Sequence, residues 1–226
     1  MPRSKTTLNS TPTNNGARVL LKDQAYEALK SQIITGELSP NSFLSERQLA
    51  QDMGMSNTPV RSAIERLAHE GFVLVSPQQG IVVRTMSLQE INDHFDIRLA
   101  LESFVVKRLV GNVSKADVAL LNENLLAQAE AAQKDDLAAS VALDIDFHML
   151  LCKLLGNQDI LKVMLHQSDK LKRMIFQVTG QNLQRMKVAY EEHAGIVDAI
   201  ISDNAVVAAK RMEDHLTFGK EFLLNL

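Results

Sequence analysis

The sequence predicts a mainly α-helical chain in two parts, a short N-terminal part that ends in a β-hairpin and a longer antiparallel bundle of helices. Up to residue 86, short apolar runs are separated by Gly and Pro. After it, apolar residues recur at helical spacing to the end of the chain, with no further strand signal. The 226 residues, of which 46% are hydrophobic, can supply a buried core to each part.

The first part is organised around residues 44–84. Ser45 and Gln48 have the spacing of a capping box, in which each side chain bonds a free backbone N–H at a helix start. A short helix is therefore predicted to begin at Ser45 and to stop at Gly54, and Ser56 is predicted to cap a second helix. Two short helices joined by a Gly-containing turn are typical of a helix-turn-helix.

A β-hairpin is predicted directly after these helices. Residues 72–75 are apolar and β-prone, residues 76–80 contain Pro and Gly, and residues 81–83 resume the apolar run. A further helix is predicted upstream, over residues 22–35. The fold class is therefore mainly α, with an N-terminal winged helix-turn-helix carrying a small β-hairpin wing, followed by an all-α antiparallel helical bundle.

These patterns divide the chain into three segments. Residues 1–17, rich in Ser, Thr, Asn and Pro, are predicted to be a disordered leader; residues 18–86 are the winged helix-turn-helix, and residues 87–226 the helical domain. The inward faces of such a bundle can build a ligand or metal site. The six helices predicted in it are 88–110, 115–132, 137–155, 159–177, 183–202 and 204–224.

Composition restricts the classes of protein that this chain can be. With a single cysteine, Cys152, it has no disulfide framework, and it contains no apolar run of the ~20 residues needed to span a bilayer. A cytoplasmic location without membrane attachment is therefore expected. The net charge is −3, yet residues 1–86 hold nine Lys or Arg against seven Asp or Glu. Because this excess is small, DNA binding by the first part has to depend on individual contacts and on dimerisation.

The helical part carries four polar residues on faces that are otherwise apolar. Asp144 and His148 lie one turn apart on one predicted helix, and His193 and His215 lie on two others. Buried polar groups need partners. One interpretation is that the four bind a divalent metal, since three nitrogens and one oxygen suit Zn, Ni, Mn or Fe. The other is that each histidine is a core residue hydrogen-bonded to a neighbour.

The remaining histidines are not assigned to a site. His166 falls on a polar helix face, and His69 and His94 are expected at surface or interface positions. Cys152 lies off the face that carries Asp144 and is expected to be a core residue.

The N-terminal part resembles the GntR family of bacterial transcription regulators. The resemblance rests on the order and spacing of several short motifs. These are Ser45-Glu46-Arg47, Leu49-Ala50, Gly54, Thr58-Pro59-Val60-Arg61, Leu67, Glu70-Gly71 and the wing glycine Gly80. The resemblance implies a winged helix that binds double-stranded DNA. Its candidate DNA contacts are Arg47, Ser56, Asn57, Thr58, Arg61 and Gly80.

Asn57 departs from the family, in which this position is commonly Arg. Arg pairs well with guanine, whereas Asn pairs better with adenine. If Asn57 reads a base, we predict a half-site that is altered or relaxed at that base. The alternative is that Asn57 is simply a residue of the first helical turn.

The helical part resembles the effector-binding FCD domain of the FadR subfamily, in its six-helix variant. The matching residues are Arg98-Leu99-Ala100-Leu101-Glu102, Asp144 with Phe147-His148, Gly156-Asn157, Glu192-His193 with Ile196 and Ala199-Ile200, and His215-Leu216. In metal-binding members an Asp and three His ligate a divalent ion, and a small organic acid docks against it. That implies Asp144, His148, His193 and His215 as metal ligands. Arg98 is then a candidate partner of the effector carboxylate, or else forms a structural salt bridge with Glu102 or Asp144.

The expected function is that of a homodimeric regulator that binds a pseudo-palindromic operator. A small carboxylate effector at the metal is expected to relieve repression by favouring one arrangement of the bundle. Two alternatives remain at this point. The metal with open positions could activate water in a hydrolase, although a DNA-binding domain has no evident task in one, or the bundle could be metal-free and serve only dimerisation.

Overall fold

The computed structural model describes residues 20–76, 80–179 and 184–224. The predicted disordered leader lies outside these residues, as do the tip of the wing and the helix break predicted at residues 180–181. The N-terminal elements are α1 (Leu21–Thr35), β1 (Phe43–Leu44), α2 (Glu46–Asp52), α3 (Asn57–His69), β2 (Val73–Ser76) and β3 (Gly80–Val83). The bundle comprises α4 (Leu88–Leu109), α5 (Lys115–Gln133), α6 (Leu137–Leu155), α7 (Gln158–Thr179), α8 (Gln184–Ile201) and α9 (Ala205–Leu224).

The helix-turn-helix forms where it was predicted, although its caps differ in detail. Ser45 accepts a hydrogen bond from the backbone N–H of Gln48 at 3.4 Å, so α2 begins as expected. The side chain of Gln48, however, donates to Asp52 at 2.8 Å instead of returning to Ser45, and only half of the capping box is made. Ser56 occupies the N-cap position of α3, but its side chain makes no capping bond to the residues described. The predicted N-cap position of Ser56 is therefore confirmed, whereas the side-chain bond expected of a cap is not formed.

The wing has one strand more than the predicted hairpin. β3 lies between β1 and β2 in an antiparallel sheet, with Val82 opposite Phe43 on one side and Leu74 on the other. Because β1 contains only two residues, it is too short to show an alternating pattern in the sequence. The inner side of this domain is a compact apolar cluster that includes Tyr26, Leu29 and Leu67.

Six antiparallel helices make up the second domain within the described residues, and their ends lie within two residues of those predicted. Ser87 and Glu90 form a complete capping box at the start of α4. α4 packs along α9, where Gly219 lies against Phe95; a Cβ there would be 3.5 Å from the ring. No helix in the described segments is long and apolar enough to cross a membrane.

α7 contacts both domains. Asp169 forms an ion pair with Lys30 of α1, and the Arg173 guanidinium donates to the backbone carbonyl of Arg84, between the wing and α4. Phe176 packs against the apolar clusters of both domains. α7 is thus the helix through which the bundle supports the DNA-binding domain.

Packing of α5 into the bundle can be tested with two adjacent leucines. Leu121 is fully buried, whereas Leu120 is 47% exposed. Leu121→Ala is expected to lower the free energy of unfolding by about 2–5 kcal/mol, because it leaves a cavity. Leu120→Ala should change it by no more than about 0.5 kcal/mol. Urea denaturation of both variants checks this, and equal losses would contradict the observed orientation of α5.

Candidate functional site

The structure brings the four predicted ligand residues together inside the bundle. Asp144 and His148 project from α6, His193 from α8 and His215 from α9, and one ligand atom from each lies within 4.8 Å of the others. His215 Nε2 is 3.3 Å from both His193 Nε2 and His148 Nε2. Asp144 Oδ1 is 3.7 Å from His193 Nε2. All three rings are buried.

Each of the three imidazoles also has a hydrogen-bond partner at Nδ1, the ring nitrogen that does not face the cluster. His148 Nδ1 bonds Glu102, His215 Nδ1 lies 2.6 Å from Glu192 Oε2, and His193 Nδ1 lies 2.8 Å from Gln128 Oε1. Metal-bound histidines are typically held in this way, because the outer partner fixes the tautomer and the ring orientation.

Glu102 and Glu192 are charged acceptors. Burial alone would raise the pKa of Glu102, but Arg98 and His148 hold it well below its usual range. Burial would likewise raise the pKa of Glu192, and His215 and Arg185 lower it. A carboxylate can only accept, so Nδ1 of His148 and of His215 carries the proton.

A chain of amides determines the tautomer of His193. Asn124 Nδ2 donates to the backbone carbonyl of Leu143 at 3.2 Å, which leaves Asn124 Oδ1 as an acceptor. Gln128 Nε2 donates to that oxygen at 2.6 Å. The remaining atom of the Gln128 amide, Oε1, must therefore accept from Nδ1–H of His193.

It follows that Nε2 of His193 and Nε2 of His215 present lone pairs to each other when both rings are neutral. Burial lowers the pKa of His193 well below its ordinary value of 6.5, and it also lowers the pKa of His215, so these rings are neutral at pH 7. The neutral Nε2 acceptors of His193 and His215, 3.3 Å apart, cannot hydrogen-bond and repel each other. Two nitrogens bound tetrahedrally to Zn²⁺ at its usual distance lie about 3.3–3.4 Å apart. The chemistry and spacing of these donors fit a divalent cation.

A cavity of about 80 Å³ opens beside this cluster. On α6 and α8, the residues that line the cavity do not extend beyond Asp144 and stop before His193, respectively. On α9 they begin at His215 and continue toward the C-terminal end of the helix. The cavity therefore extends to one side of the cluster. Its polar lining consists of Arg98, Gln128, Ser140, Asp144, Arg185 and His215, and the rest is mostly apolar.

The two roles considered for Arg98 are compatible. Its Nε donates to Glu102 at 2.6 Å, which is one of the predicted salt bridges, and the same side chain lines the cavity.

Arg185 was not among the predicted site residues. Its Nη2 donates to Glu192 at 2.9 Å. Its position two helical turns before Glu192 was an available signal, because residues seven apart share a helix face.

His94 and Cys152 are both buried in the bundle. His94 was expected at a surface or interface position; it is 3% exposed, and its Nδ1 lies 3.3 Å from Gln167 Oε1, so it lies between α4 and α7 and not at the surface. Its position on α4 falls on the side covered by α7, which the sequence pattern of α4 alone does not reveal. Cys152 is buried as expected, and burial raises the pKa of its thiol to about 12.

The candidate DNA contacts lie at exposed positions of the first domain. Asn57, Thr58 and Arg61 share the outer face of α3, opposite its buried apolar residues, and Ser56 and Arg47 are also exposed. Arg61 Nη2 lies 3.0 Å from Glu46 Oε1 on α2. Such exposed pairs contribute about 0–1 kcal/mol, so phosphate can compete for the guanidinium. Gly80 begins β3 with φ +79°, a conformation that favours glycine.

The lowered histidine pKa values predict a pH dependence for protein treated with a chelator. Burial lowers the pKa of His94 to about 4, and His193 and His215 shift in the same direction. Below pH 6.5, the ordinary pKa of histidine, the unfolded chain binds more protons than the folded one. The free energy of unfolding is therefore highest above pH 6.5 and declines as the pH falls below it. Between pH 7.5 and 5.5, His94 alone should account for a loss of about 1 kcal/mol. Urea unfolding at both values tests this, and equal stability would contradict it.

Comparison with known proteins agrees with this architecture. Residues 93–218 match the FCD domain, and residues 21–83 match the family described as bacterial regulatory proteins, gntR family. An HTH-type transcriptional regulator in an unstable DNA locus of Streptomyces ambofaciens is 32% identical over 192 residues, which cover 84% of this chain and 80% of that protein. The HTH-type transcriptional repressor RspR of Escherichia coli K12 is 26% identical over 199 residues, which cover 87% of this chain and 86% of RspR.

A solved structure shows the same fold. E. coli McbR/YncC matches 92% of this chain and 99% of its own with a TM-score of 0.74, at 22% identity. The sequence relatives just described are named as transcriptional regulators and not as enzymes. This chain therefore belongs to the GntR family and is a transcriptional regulator, with a gntR-type DNA-binding domain followed by an FCD domain of the FadR type.

Proposed function

We propose that this regulator is a homodimeric repressor whose affinity for a pseudo-palindromic operator is controlled by a small organic acid docking at a divalent metal in the FCD domain. The observation that carries the proposal is the convergence of three imidazole Nε2 atoms and the Asp144 carboxylate beside a cavity that Arg98 also lines. The proposed domains are residues 18–86 for DNA binding and 87–226 for the effector and the dimer. The place of action is the cytoplasm, where the DNA is.

Asp144, His148, His193 and His215 are the proposed ligands of the metal. Among Zn, Ni, Mn and Fe, the nitrogen-rich set and its 3.3 Å spacing favour Zn. When bound, the ion supplies a Lewis-acidic position for a carboxylate oxygen. Glu102, Gln128 and Glu192 orient the three rings.

Arg98 is the proposed carboxylate-binding residue. Its Nε is engaged with Glu102, which holds the guanidinium in place, whereas its Nη2 is buried and has no partner among the residues described. An unsatisfied buried donor is unfavourable, and a charge-assisted hydrogen bond to a carboxylate removes that penalty.

The signal is proposed to reach the DNA-binding domain through α7. Leu171 and Ile175 on this helix line the cavity, while Asp169 and Arg173 hold α1 and the segment before α4. A shift of α7 on effector binding therefore alters the support of the winged helix. A ligand can drive this shift only by its difference in affinity for the two arrangements.

The metal content of the protein tests the proposed ligands. Purified protein should contain close to one divalent ion per chain by mass spectrometry, and His193→Ala and Asp144→Asn should lose it. Asp144→Asn keeps the side-chain volume, so loss of the ion there cannot be attributed to a cavity. His166→Ala, which changes an exposed histidine of α7, is the matched control and should retain the ion.

Thermal shifts complete the metal test. Small carboxylic acids should stabilise the wild type and the His166→Ala control but not the two ligand variants. If reconstituted wild type binds no metal and the ligand variants are as stable as the wild type, the bundle serves dimerisation alone.

Base recognition by α3 can be tested by selecting the DNA sequences that the protein binds. We propose that Arg47, Ser56, Thr58 and Arg61 contact phosphates, that Gly80 permits close approach of the wing, and that Asn57 faces a base. Binding-site selection with the wild type should return half-sites with adenine or a relaxed preference at one position. The Asn57→Arg variant should shift that position to guanine. An obligatory guanine already selected by the wild type would rule out this role for Asn57.

A further inference from the structure

The cavity contains a second recognition point besides Arg98. Within the described residues, three residues of its lining each have one buried side-chain atom without a hydrogen-bond partner: Arg98 Nη2, Arg185 Nη1 and Ser140 Oγ. Each loses its hydration without compensation, which is unfavourable for folding. Three such atoms around one cavity indicate that a ligand with several acceptor atoms completes them.

The two arginines occupy equivalent positions around the metal-ligand cluster. Arg98 donates to Glu102, which holds His148, and Arg185 donates to Glu192, which holds His215. In each case one nitrogen of the guanidinium is used by the glutamate and another is left without a partner. The ring of Phe218, 4.8 Å from the Arg185 guanidinium carbon, further restrains that side chain.

Charge then limits what the second arginine can bind. Each guanidinium is already paired with one carboxylate, so neither pair contributes net charge. Imidazoles ligate a metal in their neutral form, so a divalent ion bound here would exceed the charge of Asp144 by one. One effector carboxylate cancels this excess, whereas a second would leave an uncompensated negative charge in a buried cavity.

We propose that Arg185 and Ser140 bind a neutral hydroxyl or carbonyl oxygen of the effector, at a distance from the carboxylate that Arg98 and the metal hold. This inference rests on the proposed function of the site. The effector is then a short monocarboxylic acid that carries one further oxygen. A cavity of about 80 Å³ has room for on the order of five to eight water-sized groups, which corresponds to an acid of about four carbons.

Four-carbon acids provide the probes. Isothermal titration calorimetry of the full-length, zinc-reconstituted protein should compare butanoate, 3-hydroxybutanoate, 4-hydroxybutanoate and succinate. We expect at least one hydroxy acid to bind about tenfold more tightly than butanoate, the gain of one hydrogen bond to a charged donor. Succinate, with its second charge, should bind more weakly than that hydroxy acid.

Two variants identify the source of the gain. Ser140→Ala removes one hydrogen-bond donor. Arg185→Lys keeps the positive charge beside Glu192 but loses the planar guanidinium with its several N–H donors. Both should reduce the preference for the hydroxy acid over butanoate to less than threefold. Zinc content is measured alongside, so that loss of the ion is distinguished from loss of recognition. Ser103→Ala is the matched control, because Ser103 Oγ is also buried without a partner in the described structure but lies outside the cavity lining; it should keep the wild-type preference.

The outcomes separate this inference from the proposed function. If butanoate binds and the hydroxy acids bind no better, or if their advantage survives in both variants, the role of Arg185 and Ser140 is wrong while the metal-docked acid stands. If succinate binds most tightly, the requirement for a neutral second group is wrong. If no acid binds to the zinc-loaded protein, the proposed function fails, and this inference fails with it.

Discussion

The arrangement of the bundle depends on one buried carboxylate. Glu102 is almost fully buried, and its charge is acceptable there only because Arg98 on the same helix and His148 on α6 both bond it. Breaking such a network leaves an unpaired buried charge, which is far more costly than losing a surface ion pair. α4 and α6 are therefore fixed relative to each other, and the orientation of His148 follows. The pair Arg185 and Glu192 repeats the arrangement on α8, where it orients His215.

Sequence patterns predicted that Asp144 and the three histidines face one another inside the bundle, and missed most of the residues that orient them. Asp144 and His148 are one turn apart, so their shared face follows from helix periodicity alone. Gln128 could not be found in this way, since its contact with His193 depends on how α5 packs against α8. Helix periodicity places Arg185 on the same face of α8 as Glu192, but that Arg185 and Ser140 of α6 line one cavity follows only from the assembled bundle. Helix periodicity determines the inward face, but not which inward residues meet.

The same distinction applies to the DNA-binding domain. Its helices and their order were predicted because caps, glycines and apolar spacing are local signals. The predicted caps were less reliable, since Gln48 has a competing partner in Asp52 one turn later. The two-residue strand β1 pairs with β3 across nearly forty residues of chain, a contact without any local signal. Family resemblance added the candidate DNA contacts, which neither periodicity nor capping could supply.

α7 touches the cavity through Leu171 and the DNA-binding domain through Asp169. A helix shared by two binding sites imposes reciprocity on the proposed regulation: whatever factor the acid applies to operator affinity, the operator applies to the affinity for the acid. A repressor that is released by its acid must hold that acid less tightly while it occupies DNA. The concentration of acid needed for a response is then set partly by the operator sequence, so that different operators in one genome respond to the same acid at different concentrations.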